Sequence, residues 1–212
     1  MIYLIGGPPK CGKTTLAKAF SEKHHIPWVS ADTLQTIGRA YTSIEQDKAK
    51  YPHAALCNGN RNNDTLYAEY PAKKIVTAYI KQAKATALAI EMMAICEITD
   101  GNDYIIEGYQ VEPALVARLV KKYGKEHFSA VFLTKLDTQA FLKDLRKSTT
   151  PNDWILSNTK NTETFLKIAN MVQHYSGYFQ TETEKHGFTT IDLSRNFASH
   201  FKKALRILHT NN

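Results

Sequence analysis

The sequence predicts a three-layer α/β/α domain, a five-stranded parallel sheet with helices on both faces. Three observations predict it. Five short apolar runs recur along the 212 residues, amphipathic helical patterns separate them, and a glycine-rich turn joins the first run to the first helix. Strands that alternate with helices pair in parallel through right-handed crossovers. The length suits one such domain with a full core and a small lid, and is short for two.

The strand runs are "MIYLI" (1–5), "PWVS" (27–30), "YIIEG" (104–108), "FSAVFLT" (128–134) and "FTTIDLS" (188–194). None alternates strictly, as expected of strands buried on both faces. The first helix runs from Lys13 to His24 and frays at the His24-His25 pair. A long one spans about Ala72 to Thr99, where Ile75, Tyr79, Ile80, Ala83, Ala87, Ile90 and Ala94 recur at spacings of three and four. Another covers Glu112 to Tyr123, with Pro113 in its first turn. A helix starts near Thr138, Phe165 to Phe179 mark a later one, and Phe197, Phe201, Leu205 and Leu208 mark the last. Two polar stretches, "CNGNRNND" (57–64) and "STTPNDWILSNTKN" (148–161), interrupt the pattern. They fall where a substrate-binding helical insertion (about 40–100) and a lid (about 138–160) would sit.

Composition narrows the class. Cys11, Cys57 and Cys96 are far apart and form no C-x-x-C, which argues against zinc and disulfides and for a reducing compartment. No signal segment precedes the first strand, and the longest apolar run, "ATALAIEMMAICEI", is broken by Glu91 and too short for a bilayer. The expectation is a soluble, cytoplasmic protein with no membrane partner. A net charge of +7 admits a nucleic-acid partner or a protein that handles polyphosphates. Basic residues cluster only in pairs such as Lys73-Lys74 and Lys121-Lys122, so nucleic acid is the less favoured of the two.

"GPPKCGKT" (7–14) fits G-x-x-x-x-G-K-[ST] between a strand and a helix. Backbone N–H groups of such a loop curl around phosphate oxygens, and the helix directs its positive end at them. This predicts an ATP site formed by Gly7, Pro8, Pro9, Lys10, Cys11, Gly12, Lys13, Thr14 and Thr15. Lys13 would reach the terminal phosphates, and the Thr14 hydroxyl would ligate Mg²⁺. Cys11 has two readings, a thiol acidified by the helix terminus and open to redox control, or an indifferent loop position.

After the second strand, "VSADTLQTIGRA" puts Asp32 at a strand's carboxyl end, where open α/β sheets bind ligands. Its carboxylate could take the proton of an acceptor hydroxyl, cap the helix, or do both. Arg39, two turns on, shares its face and could hold an anionic acceptor. The third strand ends in Glu107, placed to assist Mg²⁺ through water or to contact the acceptor, and Gly108, which lets a substrate approach the backbone.

"GGPPKCGKT", "SADTLQTIGR" and "EGYQVEP" together resemble the nucleoside- and adenylate-kinase-like branch of P-loop NTPases. The motif layout is most similar to 2-phosphoglycerate-kinase-like and zeta-toxin-like proteins, which read G-G-x-x-x-x-G-K-S, S-T-D-x-I-R-x-x-x-R and E-G-x-x-x-x-P. The resemblance covers about half of the chain. It implies an ATP- and Mg²⁺-dependent kinase of a small-molecule acceptor, with Lys13, Asp32 and a lid arginine as catalytic groups. Arg146 is the best placed for that lid role, and the loop around Ser194 and Arg195 would lie along the adenine. Two departures stand out. Gln35 replaces an arginine common in relatives, and "EGYQV" lacks the arginine that grips nucleoside monophosphates.

"TKLD" (134–137) imitates a guanine-reading motif, but no D-x-x-G follows the third strand. An RNA-end kinase and a non-catalytic nucleotide-binding regulator remain as alternatives. The acceptor's identity stays open, with Arg61, Lys73, Lys74 and the insertion's tyrosines as candidate lining.

Overall fold

The computed structural model describes residues 1–57, 59, 62–148 and 153–210. Arg61 and parts of both polar stretches lie outside the described residues. The chain opens with β1 (Ile2–Gly6), α1 (Lys13–His24), β2 (Trp28–Ser30) and α2 (Ala31–Ala40). Four helices follow: α3 (Ile44–Lys50), α4 (Pro52–Cys57), α5 (Asn63–Glu69) and the long α6 (Ala72–Thr99). Then come β3 (Tyr104–Glu107), α7 (Pro113–Tyr123), a 3₁₀ turn (Lys125–His127), β4 (Phe128–Thr134), α8 (Thr138–Arg146) and α9 (Trp154–Ser157). The chain closes with α10 (Thr162–Lys185), β5 (Thr190–Asp192) and α11 (Phe197–Thr210).

The strands form one parallel sheet in the order β2-β3-β1-β4-β5. Ile2 stands between Tyr104 and Phe128, and Leu4 between Ile106 and Ala130. All five residues of β1 are buried, which is why its sequence reads as an unbroken apolar run. α1 and α11 cover one face of the sheet, and α6, α7 and α10 the other. Phe20 of α1 packs its ring 4.8 Å from Tyr3, while Phe179 of α10 meets Phe132 of β4 at 6.2 Å. Among the described residues, no helix is long and apolar enough to cross a membrane.

The edge strands are shorter than the apolar runs suggest. An edge has one neighbour to pair with, and Pro27 has no N–H to donate, so β2 begins at Trp28. Phe188 is bonded back to Thr183 at the exit of α10, which delays β5 to Thr190. Helices α3 to α5 carry few buried residues, so no apolar period announces them.

Glu112 precedes the first turn of α7 and is buried, accepting a hydrogen bond from the Tyr178 hydroxyl of α10 at 3.1 Å. Burial pushes its carboxyl up to about 7, against the pull of the Tyr178 bond. The folded state therefore holds a proton that the unfolded chain has released. This contribution is complete below the ordinary carboxylate range and is lost as pH rises through about 7. Urea unfolding should show stability falling over that interval. Glu112→Gln should flatten the fall and exceed the parent by about 2 kcal/mol at mildly alkaline pH.

Candidate functional site

The glycine loop leaves β1 at the carboxyl edge of the sheet. Gly7 sits at φ +136°, and a Cβ there would lie 2.1 Å from the Leu133 carbonyl oxygen, so the loop can seat itself on β4 only with glycine. Lys10 and Gly12 also take positive φ, and Gly12 begins α1. The Lys13 ammonium folds back to donate to the Pro8 carbonyl at 2.7 Å. The Thr14 hydroxyl donates to Glu107 at 3.0 Å, joining α1 to the end of β3. Burial pushes the Glu107 carboxyl upward, opposed by Lys13 and by that hydroxyl.

Cys11 points beneath the loop and is wholly buried. Burial pushes its thiol up to about 11 despite nearby Lys13 and Lys135. Burial thus works against the acidified, accessible thiol that the redox reading requires.

A cavity of about 740 Å³ runs from the loop to the helices that precede β3. Its walls bring together Pro9, Lys10, Gly12, Lys13, Thr14 and Thr15, with Glu107 bonded to Thr14, and beyond them Asp32, Arg39 and Gly108. Gly7 supports the loop from behind.

Two further lysines face this cavity, each held by a carboxylate from the segment after β4. Lys10 Nζ lies 2.5 Å from Asp153 Oδ2, and Lys135 Nζ 2.5 Å from Asp144 Oδ2. Burial opposes the charge on Asp153, but the bonds from Lys10 and Ser148 hold its carboxyl below the usual range. The sequence marked neither pair. Lys10 occupies an unconstrained loop position, and Lys135 sits inside the discounted "TKLD". The aspartate of that tetrapeptide, Asp137, is the N-cap of α8.

At the far end Ser30 caps α2, accepting from the Asp32 N–H at 3.3 Å. Asp32 is thus not the cap, and its carboxylate is free to face the cavity. Gln110 orients it, donating to Asp32 Oδ1 at 2.7 Å and to Gln35 Oε1 at 3.1 Å. Gln35 Oε1 also accepts from the Tyr109 hydroxyl at 2.8 Å, which in turn accepts from Gln82 at 2.6 Å. Gln82 Oε1 receives the Ala54 N–H at 3.2 Å. One buried chain of hydrogen bonds therefore ties α4 and α6 to the carboxylate on α2.

The space freed at Gly108 is already used. A Cβ there would meet Gln110 Oε1 at 2.5 Å and the Ala31 side chain at 2.7 Å. Arg39 lines the cavity but is held by Asp47 through two bonds of 2.7 Å.

Arg146 and Arg195 lie away from this cavity. Phe141, Asp144 and Leu145 are the residues of α8 that line it. Arg146 falls on another side of the helix, beside a separate groove with Leu156 and Leu166. Arg195 is exposed and pairs with Asp137 at 3.1 Å.

No protein-family model matches the sequence, and no curated protein matches it. Solved structures do. A shikimate kinase from Bacteroides thetaiotaomicron superposes with a TM-score of 0.53 at 13% identity, covering 99% of this chain and 97% of that one. A Chloroflexus aurantiacus protein provisionally described as a kinase gives 0.51 at 11% identity, covering 100% and 97%. At such identities the likeness shows the fold, which is that of P-loop kinases.

The thiols give a direct check on the loop. Native protein treated with Ellman's reagent should react first at exposed Cys96 and more slowly at half-buried Cys57. Cys11 should react only at the rate of unfolding. Rapid labelling of Cys11 in the folded chain would contradict this packing.

Proposed function

We propose that the chain is an ATP-dependent phosphotransferase that moves the γ-phosphate onto a hydroxyl of a small-molecule acceptor. One observation carries the reading: Lys13 and Thr14 face the Gln110-oriented carboxylate of Asp32 across a single cavity. A bare nucleotide switch has no use for a positioned carboxylate opposite its phosphates.

In this reading the loop N–H groups and Lys13 hold the phosphates. Asp32 accepts the acceptor's hydroxyl proton, and the freed oxygen attacks the γ-phosphorus. The bond to the β–γ bridging oxygen breaks, and ADP leaves. Thr14, with Glu107 behind it, fits Mg²⁺. They offer one hydroxyl and one carboxylate, and phosphate oxygens and water supply the rest. The metal would neutralise phosphate charge. Lys10 and Lys135, which face the cavity, are better placed than Arg146 to offset charge developing at the transferred group. Helices α3 to α6 serve as the acceptor-binding insertion and the α8–α9 segment as the lid. The motif order shared with 2-phosphoglycerate-kinase-like and zeta-toxin-like proteins supports the same base and loop roles.

The test is label transfer from γ-labelled ATP with Mg²⁺ to pools of sugars, phosphoacids, nucleosides, antibiotics and RNA. Label on one small molecule is expected. Label on RNA would favour an end kinase, and label released only as phosphate would favour a regulator. Lys13→Ala and Asp32→Asn should each lower kcat by about 100-fold or more with the circular dichroism spectrum unchanged. Near-normal turnover by Asp32→Asn would remove Asp32 as the base.

A further inference from the structure

Charge is divided unevenly along the cavity. Lys10, Lys13 and Lys135 gather at the phosphate end. Among the described residues lining the other end, Arg39 is the one permanent cation, and Asp47 neutralises it through both oxygens while Tyr51 lies 5.6 Å beneath the guanidinium. His53 stacks on Tyr79 with ring centres 3.8 Å apart, and burial lowers its pKa to about 4, so the imidazole is neutral at physiological pH. Asp32 brings a carboxylate to this end. An anionic group there would face the Asp32 carboxylate and, among the described residues, find no uncommitted cation.

Position 35 decides the matter. Gln35 is buried, and its carbonyl oxygen is engaged by Tyr109, Gln110 and Thr86 at 2.8, 3.1 and 3.4 Å. Its NH₂, with no partner among the described residues, is the end left to serve a ligand as a neutral donor. Around it, Tyr79 and Tyr109 meet edge to face at 4.9 Å, beside the His53 ring. A neutral amide donor, a carboxylate acceptor and aromatic faces suit a ring that carries hydroxyls on its edge and C–H groups on its face.

We infer that the acceptor is an uncharged polyhydroxylated ring, either a free sugar or cyclitol or the ribose of a nucleoside, and that an acidic counterpart is rejected. As a statement about an acceptor, this rests on the phosphotransfer reading. As a statement about what the cavity binds, it does not.

The test is equilibrium binding by calorimetry to the full chain saturated with a non-hydrolysable ATP analogue and Mg²⁺. Neutral hexoses, cyclitols and nucleosides are set against matched acids, glucose against glucuronate and uridine against uridine monophosphate. A neutral member should bind roughly 100-fold more tightly than its acid, with an affinity nearly independent of salt. Which member binds separates the sugar from the nucleoside source. Gln35→Arg should narrow the gap by at least about tenfold. If that variant does not fold, the comparison on the parent chain decides alone. An acid that binds as well as its neutral partner, or a neutral panel that fails to bind, would overturn the inference. If the neutral ligand binds but no label moves to it from ATP, the phosphotransfer reading fails while the binding inference stands.

Discussion

Every strand of this sheet runs in the same direction with β1 at the centre, so the loop leaving β1 emerges between the carboxyl ends of β3 and β4. That placement governs the rest of the site. It sets Glu107 against Thr14 on one flank and Lys135 beside the loop on the other. It also brings the Leu133 carbonyl so near Gly7 that the backbone itself becomes the packing surface. β1 is buried along its whole length, so displacing the loop would mean shifting the best-packed element of the core.

Around that centre, polar groups are held in two different ways. On the phosphate side, lysines are held by single carboxylates on the segment after β4, in pairs that lose desolvation energy and recover it only through close geometry. On the acceptor side a neutral chain of amides and a phenol leads to Asp32. Such a chain fixes a side chain without adding net charge, which leaves the carboxylate as the dominant charge in its neighbourhood.

The parallel fold and the glycine loop were legible in the sequence because both depend on local pattern. Apolar runs buried on two faces and a loop of fixed spacing need no distant information. The same holds for Glu107, which ends β3, and for Asp32, which lies in the first turn of α2 just after β2. What stayed hidden depends on pairing across the chain. Lys10, a residue of the marked loop, finds Asp153, and Lys135 finds Asp144, in pairings that no local pattern marks. Gln110 stood in plain view in "EGYQV", but its role requires Asp32 to be 2.7 Å away. Arg146 and Arg195 were legible only as basic residues. Which side of α8 turns inward is set by Phe141 and Leu145, and Asp137 draws Arg195 outward.

The central position of β1 also shapes how the chain reaches this structure. Ile2 pairs with Tyr104 and with Phe128, so the strand that carries the loop has no close neighbour in sequence to pair with. The intervening chain must close long loops before the middle of the sheet exists, and that entropy is lost before the contacts return it. A growing chain would hold β1 as an unpaired apolar segment until β3 and then β4 had been made. The strand that gives the finished protein its rigid floor is, during synthesis, the segment that waits longest and is most open to mispairing.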